Sequence, residues 1–426
     1  MLNLPPQAVE ALRALEAAGF EAFVVGGAMR DGVRGVQPKD WDLATNATPE
    51  QAAAVFTGRH IIETGLRHGT VTVVLDHMPL EITTYRGDAP TLQADLARRD
   101  FTCNAMAYHP RTGLLDPMGG RADLARGLVR CVGEADRRFA EDGLRILRAL
   151  RFAAVLGLRV EDKTAAAMRR NLPLLPQAAP ERIRAELTGL LCGRDAGRVL
   201  AENADIAAAV LPELAPLFGF AQHNAHHDRD VWQHTLAVVD AAAPEPVLRW
   251  AALLHDLGKP ACFSLGPDGA GHFYGHAELS AKLAGAILTR LHSDTAGRAQ
   301  IVALVRWHDV PIVPERRAMR RLLRRLGEDT VRRLLALRIA DTRGQAPACQ
   351  GRLETLRQAG AVVDTLVAEA ACFSRKDLAV TGRDLLPLGL TGHEVGAALE
   401  RCLTAVVEEA VPNERAALLD YVRRGG

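Results

Sequence analysis

The stretch at residues 23–50, FVVGGAMRDGVRGVQPKDWDLATNATPE, constrains the fold more than any other part of the chain. The apolar run at 23–25 predicts a short strand that ends at two glycines, and residues 28–33 can then start a helix. Glycines before a helix N-terminus suit a phosphate group, because the backbone N–H groups and the helix dipole both point there. The segment therefore predicts a turn that leaves room for an anion.

Two aspartates follow this turn. Asp40 and Asp42 alternate along an extended segment, so both carboxylates lie on one face and Trp41 lies on the other. Two carboxylates beside a phosphate suit Mg²⁺, which uses oxygen ligands to bridge a protein and a triphosphate. Either motif alone is more often a glycine turn or a solvated acidic strand, but their occurrence in one strand–turn–helix–strand unit favours a nucleotide site.

The composition indicates a multidomain globular protein. A chain of 426 residues predicts two to four domains, and 48% hydrophobic with 24% charged residues is typical of soluble proteins. A formal net charge of +1 provides no overall attraction to nucleic acid, although a local basic face remains compatible with it. The seven cysteines form no CxxC motif and predict free thiols in the cytoplasm, and the lack of an 18-residue apolar run predicts no membrane partner.

The chain changes character near residue 135. Up to that point strand and helix signals mix, with a hairpin-like segment GTVTVVLDHMPLEITTYR at 69–86. From Arg138 onward the chain is rich in alanine, leucine and arginine with helical periodicity. The pattern predicts an α/β head followed by an all-α body.

Four motifs occur in order: GGAMRD…DWDLAT, RRDFTCNAMAY at 98–108, DPMGGRADLARGLVRCVG at 116–133 and EDGLRILRALRF at 141–152. Together they resemble the class II tRNA nucleotidyltransferases, relatives of bacterial poly(A) polymerases in the polymerase-β superfamily. The resemblance implies an α+β fold, with a polymerase-β-like head of mixed sheet and helices followed by an all-α neck, body and tail that contain an HD domain. It implies a head at 1–135, a nucleotide-selecting and RNA-binding neck at 136–222, an HD phosphohydrolase domain at 223–345 and a tRNA-binding tail at 346–426.

The resemblance also implies roles for residues of the head. Asp40 and Asp42 would be catalytic and hold Mg²⁺, while the acceptor end of tRNA and CTP, with ATP as a second nucleotide, would be the substrates. Nucleotide contacts are implied for Gly27, Arg30 and Arg99. Arg98 and Glu81 are further candidates, Glu81 as a third carboxylate or equally as a surface glutamate.

The motif EDGLRILRALR predicts how the base is chosen. Asp142 and Arg145 are three residues apart on a predicted helix, so their side chains should be neighbours on one face. An acceptor beside a donor matches the amine and ring nitrogen of cytosine or adenine, whereas guanine and uracil present the reverse pattern. By resemblance, Arg148 and Arg151 also lie near the nucleotide. An isolated DxxR would instead be a surface ion pair.

The connection between Arg86 and Arg98 is short, with only the 11 residues GDAPTLQADLA. In CCA-adding relatives this connection is longer and forms a flexible loop that helps the pocket change from C to A. Here DAP can turn the chain and TLQADLA is helical, so no flexible segment remains that could change the pocket from C to A. This favours an enzyme that adds two cytidines and leaves the terminal adenosine to a separate A-adding enzyme, although loop length also varies without functional effect.

A histidine-rich block follows the neck. The order His234, His255-Asp256 and Asp341 resembles the HD phosphohydrolase superfamily, and imidazoles with carboxylates on packed helices suit Ni²⁺, Mn²⁺ or Co²⁺. His276 and His308 are additional candidates to line this site or hold a second ion. The implied reaction is hydrolysis of a phosphoester, such as a 2′,3′-cyclic phosphate at an RNA end. Three alternatives stay open: full CCA addition, poly(A) polymerase activity, and an HD hydrolase or RNA-binding module with an inactive head.

Overall fold

The computed structural model describes residues 3–62, 65, 69–86, 90–224, 226, 228–369 and 371–425. The chain divides into two compact units, residues 1–195 and 196–426. The division falls inside the predicted neck at 136–222. The first helices of the predicted neck therefore belong to the same unit as the head.

A seven-stranded mixed sheet forms the centre of the first unit. Its strands are β1 (Ala22–Val25), β2 (Trp41–Thr45), β3 (His60–Ile62), β4 (Thr70–Leu75), β5 (Met78–Thr84), β6 (Ala107–His109) and β7 (Gly113–Leu115). They lie in the order β3-β4-β5-β2-β1-β6-β7, with β2 and β5 parallel and the other neighbours antiparallel. The mixed sheet confirms the α+β fold that the sequence predicts.

The two faces of the sheet bury different residues. On one face Trp41 and Leu43 of β2 pack with the helix Pro6–Ala17, which is α1, in the main core of this unit. On the other face Ala44 packs in a smaller cluster with Tyr85 and Leu96. Because side chains alternate along a strand, Asp42 shares the face of Ala44. The smaller cluster therefore lies on the side of the sheet that carries the predicted carboxylates.

Helices and short strands complete the first unit. The predicted hairpin at 69–86 is confirmed as β4 and β5, joined through Asp76 and His77, whose φ values of 44° and 65° suit a tight hairpin turn. The remaining elements are α2 (Gly27–Val33), α3 (Pro49–Val55), α4 (Leu92–Ala97), α5 (Gly120–Ala125), β8 (Leu128–Val129), α6 (Ala135–Glu141), α7 (Arg145–Leu156), β9 (Arg159–Val160), α8 (Asp162–Arg170) and α9 (Pro180–Leu191).

The second unit is almost entirely helical, as the loss of strand signals predicts. Its elements are α10 (Ala196–Glu202), α11 (Ala204–Val210), α12 (Val231–Ala241), α13 (Pro246–Leu254), β10 (Ser264–Leu265), β11 (Gly271–His272), α14 (His276–Arg290), α15 (Thr295–Trp307), α16 (Arg316–Leu326), α17 (Glu328–Gly344), α18 (Arg352–Ala368), α19 (Gly382–Leu385), α20 (His393–Val407) and α21 (Arg415–Arg423). Leu385, Cys402 and Leu418 belong to a separate core near the C-terminus. None of the described helices combines the length and the apolar composition needed to cross a bilayer.

Candidate active sites

The site in the first unit begins at the turn between β1 and α2. Gly26 has φ 73° and ψ −135°, a backbone conformation that favours glycine. A Cβ atom at this position would lie 3.2 Å from Asp42 Oδ2 and 3.3 Å from Arg99 Nη1. The absent side chain therefore lets a carboxylate and a guanidinium approach the turn together. Gly27, the predicted nucleotide contact, begins α2 and lines the adjoining cavity.

Two carboxylates lie next to each other beside this turn. Asp42 lies directly opposite Glu81 on the parallel strand β5, and Asp40 is exposed just before β2. Burial and the charge of Glu81 raise the pKa of Asp42 to about 6, with Asp40 contributing in the same direction and Arg99 opposing the shift. Such crowding fits a divalent cation with oxygen ligands, because the cation would relieve the repulsion.

Two predicted arginines flank these carboxylates. Arg30 donates to Asn104 Oδ1 at 3.0 Å and pairs with Asp31 at 2.8 Å. Arg99 pairs with Asp95 at 3.1 Å and donates to the Asn104 carbonyl at 3.4 Å. Both guanidinium groups line the cavity and are held in place by neutral or acidic partners. Their positive charge suits the phosphates of a nucleotide.

The helix α7 contributes a second pair of predicted arginines. Arg148 pairs with Asp100 at 2.8 Å and with Glu186 at 3.3 Å, while Arg151 pairs with Glu186 at 2.6 Å. Burial opposes ionisation of Asp100, but Arg148 and neighbouring hydrogen bonds hold the pKa of that carboxyl below its usual value. Arg148 lines the cavity, whereas Arg151 is not among the described lining residues and lies 4.4 Å from the Phe152 ring centroid.

The prediction that Asp142 and Arg145 share one helix is wrong. The helix α6 ends at Glu141, Asp142 is extended with φ −156° and ψ 104°, and α7 begins at Arg145. Gly143 provides the physical reason, because a Cβ there would lie 2.9 Å from the backbone of Leu174. The chain bends at this close approach.

The two residues nevertheless face the same cavity through different supports. Asp142 pairs with Arg182 at 2.7 Å, and Arg145 pairs with Glu141 at 2.7 Å. Both line the cavity. An acceptor and a donor therefore still line one cavity, although no single helix face brings them together.

The cavity that these groups share has a volume of about 400 Å³. Arginines and carboxylates dominate its wall, together with the ring of Phe152. The lining residues are Val25, Gly26, Gly27, Arg30, Asp42, Glu81, Thr83, Arg86, Asp95, Arg98, Arg99, Asp100, Asn104, Asp142, Arg145, Arg148, Phe152 and Arg182. A polar cavity of this size suits a charged nucleotide better than an apolar ligand.

Sequence reasoning missed several lining residues, among them Asp95, Asp100, Asn104, Phe152 and Arg182. Asp100 and Asn104 lie inside the motif RRDFTCNA, and Phe152 ends the motif EDGLRILRALRF, so their signal was present but was assigned to no role. Arg182 lies 40 residues from its partner Asp142. No spacing rule predicts a contact across that distance.

The second unit contains the predicted histidine cluster. His234 on α12 lies 3.1 Å from Asp341 on α17, and His255 lies 3.1 Å from Asp256. His276 and His308 approach the other oxygen of Asp256 at 3.5 and 3.6 Å. The four predicted metal-binding residues therefore come together, with both additional histidines beside them.

The four imidazoles share one hydrogen-bond arrangement. Each places Nδ1 near a backbone carbonyl, at 3.2 Å for His234, 2.8 Å for His255, 2.8 Å for His276 and 2.7 Å for His308. A proton on Nδ1 leaves the Nε2 lone pair directed toward the cluster, as in metal-ligating histidines.

The chemistry of this cluster fits a metal ion. Among the described residues, His255 Nε2 and Asp256 Oδ1 are buried without a hydrogen bond of normal geometry, whereas Asp256 Oδ2 lies 2.7 Å from Lys259 Nζ. Burial opposes ionisation of Asp256, but His255 and Lys259 hold the pKa of that carboxyl well below its usual value. The ligand atoms of His234, His255 and Asp341 all lie within 4.8 Å of one another, as do those of His255, Asp256 and His308.

Comparison with protein-family models identifies three regions. Residues 22–130 match the poly A polymerase head domain, and residues 273–422 match tRNA nucleotidyltransferase domain 2. Residues 157–218 match the model described as "Probable RNA and SrmB- binding site of polymerase A". The second match crosses the predicted boundary at 345/346.

Individual relatives extend over different parts of the chain. An A-adding tRNA nucleotidyltransferase of Deinococcus radiodurans is 34% identical over 425 residues, which is 93% of this chain and 94% of that protein. A CCA-adding enzyme of Geobacillus thermodenitrificans is 38% identical over 271 residues, which is 60% of this chain and only 64% of that enzyme.

A solved structure agrees in fold over the full length. The Bacillus stearothermophilus CCA-adding enzyme in complex with CTP has a TM-score of 0.73 and 30% identity, and the match covers 99% of each chain. Together with the matched domains and the near full-length Deinococcus relative, this likeness leads to one conclusion. The chain belongs to the tRNA nucleotidyltransferase family of enzymes, whose members named here add CCA or A.

Proposed function

We propose that the first unit adds two cytidines from CTP to the 3′ end of tRNA without a nucleic acid template. The acceptor 3′-oxygen forms a bond to the α-phosphorus of CTP while the bond to pyrophosphate breaks. Asp40 and Asp42, with Glu81 beside them, would hold Mg²⁺, which supplies charge neutralisation for the reacting phosphates when bound. Gly27, Arg30 and Arg99 bind the triphosphate, with Arg98 at the cavity wall and Arg148 and Arg151 supporting the nucleotide side of α7.

Base choice in this proposal rests on Asp142 and Arg145. The carboxylate accepts from the cytosine amine and the guanidinium donates to the ring nitrogen. A uracil would place its carbonyl against the carboxylate and its N–H against the guanidinium, which leaves both protein groups without partners. The pair also matches adenine, so base reading alone does not prevent addition of A.

The short connection at 87–97 carries the proposal that addition stops after two cytidines. Residues 87–89 lie outside the described part of the chain, whereas Leu92–Ala97 form α4, as the sequence predicts. Asp95 of this helix is buried, accepts from Arg86 N at 3.3 Å and pairs with Arg99 at 3.1 Å. A helix tied at both ends of the connection is poorly suited to move between two pocket states.

The Deinococcus relative makes addition of A the first alternative to exclude. We would supply three tRNA substrates, lacking the whole 3′ CCA, ending in C, or ending in CC, each with a single labelled nucleotide. The proposal expects labelled C on the first two substrates and efficient labelling of none by A. Efficient labelling of the CC-ending substrate by A would instead assign an A-adding or CCA-adding activity. Extension by many adenosines would assign a poly(A) polymerase.

A second candidate activity is favoured by the histidine cluster of the second unit. The convergence of four Nε2 atoms on Asp256 and Asp341 supports an HD-type phosphohydrolase site for Ni²⁺, Mn²⁺ or Co²⁺. His234, His255, Asp256 and Asp341 would hold the ion, which would supply Lewis-acid and water-activating chemistry to a phosphoester. Metal analysis of the purified protein tests the proposed metal site directly, since variants of His255 and Asp256 should lose the bound ion.

These activities imply a domain arrangement and a partner. The head at 1–135, the neck at 136–222, the HD domain at 223–345 and the tail at 346–426 remain our proposed division, with neck and tail contacting tRNA. A separate A-adding enzyme would complete the CCA end. Seven free cysteines support a cytoplasmic location for this reaction.

A further inference from the structure

Asp142 is held at both of its carboxylate oxygens. Oδ1 accepts a hydrogen bond from Leu144 N at 3.0 Å, within the bend between α6 and α7. Oδ2 accepts from Arg182 Nη2 at 2.7 Å, and Arg182 lies in the first turn of α9. A carboxylate offers about four lone-pair sites, so these two contacts orient the group and still leave acceptor sites for a ligand.

Arg145 is held differently. Its Nη1 donates to the Arg138 carbonyl at 2.9 Å and to Glu141 Oε2 at 2.7 Å. Among the described residues, Nε and Nη2 of this guanidinium have no protein acceptor within hydrogen-bond geometry. Protein contacts therefore hold both the Asp142 carboxylate and the Arg145 guanidinium. Each group still has hydrogen-bonding atoms available to a ligand in the cavity.

Arg182 differs from the more buried ion pairs of α7 in its exposure. Its side chain is 54% exposed and that of Asp142 is 29% exposed, and both residues line the cavity. By contrast, Arg148 is engaged by two carboxylates, Asp100 and Glu186, that are each only 10% exposed. Among the described residues, Arg182 is the one whose side chain forms a hydrogen bond with the Asp142 carboxylate.

We propose that Arg182 is a positioning residue for base selection, acting through Asp142. The inference rests on the proposed nucleotidyltransferase function and extends it to a residue outside the Asp142–Arg145 motif. By fixing the rotation of the carboxylate, Arg182 keeps an acceptor facing the amine of cytosine and a repulsive oxygen facing the carbonyl of uracil. Without it the carboxylate can turn away from a uracil, so discrimination against UTP weakens.

The test compares kcat/KM for CTP and UTP during the first addition to a tRNA lacking its 3′ end. Arg182→Ala should lower the CTP/UTP selectivity about two- to fivefold, the range for a half-exposed ion pair, and Arg182→Lys should restore part of it. Because selectivity is a ratio, it does not change with the fraction of folded enzyme. Arg170→Ala is the matched control: Arg170 pairs with Asp136 at 2.7 Å, is exposed and does not line the cavity, so selectivity should stay at the wild-type value.

A double variant decides whether Arg182 acts through Asp142. In an Asp142→Ala background, Arg182→Ala should produce no further loss of selectivity, since the carboxylate that it orients is gone. Unchanged selectivity in the single Arg182→Ala variant, or a loss that adds fully to that of Asp142→Ala, would overturn the inference. If the wild-type protein incorporates neither nucleotide, the proposed function fails. The ratio of the calorimetric affinities for CTP and UTP, measured on the same variants, then tests the positioning role of Arg182 independently of catalysis.

Discussion

Asp42 is a residue whose charge the fold opposes, since burial and Glu81 raise its pKa to about 6. A carboxyl with a higher pKa in the folded than in the unfolded chain stabilises the fold below the unfolded value of 3.8. That contribution is lost as the pH rises through about 6. Asp42→Asn should therefore raise the free energy of unfolding by about 1–3 kcal/mol at pH 8, with little effect near pH 4.

Calorimetric melting in EDTA measures this effect. Added Mg²⁺ should reduce the difference in stability between Asp42→Asn and wild type. The bound cation would neutralise the crowded carboxylates of the wild-type protein, whereas the variant lacks one of the proposed ligands. A variant that melts below wild type at pH 8 in EDTA would contradict the account of this carboxylate cluster.

The same carboxylates should be essential for nucleotide addition. Asp40→Ala and Asp42→Ala each remove a proposed Mg²⁺ ligand and should abolish incorporation of labelled CTP while the circular dichroism spectrum stays unchanged. Glu50→Ala, an exposed carboxylate on α3 of the same unit, is the matched control and should incorporate normally. Near-normal incorporation by either aspartate variant would refute the proposed catalytic site.

Asp142 should set the discrimination against UTP. Asp142→Ala removes the acceptor that requires an exocyclic amine and the oxygen that repels uracil. A hydrogen bond to a charged group contributes about 1.5–3 kcal/mol, so selectivity should fall roughly 10- to 150-fold in competition assays with CTP and UTP. Selectivity within about twofold of wild type would indicate that another residue reads the base.

At the scale of elements, local sequence signals predicted the parts that depend on neighbours in the chain. Two glycines after an apolar run predicted the turn before α2, and DHMP between β-rich runs predicted the hairpin β4–β5. The prediction of one helix across Asp142 and Arg145 was wrong because the chain bends at Gly143, which packs against Leu174. Residue spacing does not reveal that contact. Likewise, Glu186 on α9 joins Arg148 and Arg151 on α7 only after the chain has folded.

The connection at 87–97 provides a prediction for one element. Replacing it with the longer loop of a CCA-adding relative, between Arg86 and Arg98, should restore some addition of terminal A, because a mobile segment then becomes available. Addition of C should continue but more slowly, because the replacement removes Asp95, which pairs with Arg99 and lines the cavity. A glycine–serine loop of equal length is the control for added flexibility without the relative's sequence. Equal addition of A by the two loop variants would show that the sequence of the grafted loop has no role.

At the scale of the molecule, the two candidate sites lie in different compact units, the nucleotide cavity in residues 1–195 and the histidine cluster in residues 196–426. The double variant His255→Ala with Asp256→Ala should lose bound transition metal and metal-dependent phosphoesterase activity. Cytidine addition should remain largely unchanged. His393→Ala, an exposed histidine at the start of α20, should retain both activities.

Loss of cytidine addition in a correctly folded double variant would show that the histidine cluster serves the transferase, and the proposed division of functions would be wrong. Sequence motifs predicted which histidines and aspartates meet in this cluster, because the HD pattern names them. The motifs did not predict how the imidazoles are oriented, since that depends on backbone carbonyls such as those of Ala252 and Gly344.

The most direct measurement is the length of the product that the wild-type protein makes from a tRNA lacking its 3′ end, with CTP and ATP both present. Our account predicts extension by two cytidines followed by arrest. ATP should compete weakly with CTP, because Asp142 and Arg145 also match adenine, without being incorporated efficiently. A product that ends in CCA, formed at a rate like that of C addition, would contradict the proposal that the short connection prevents the change from C to A.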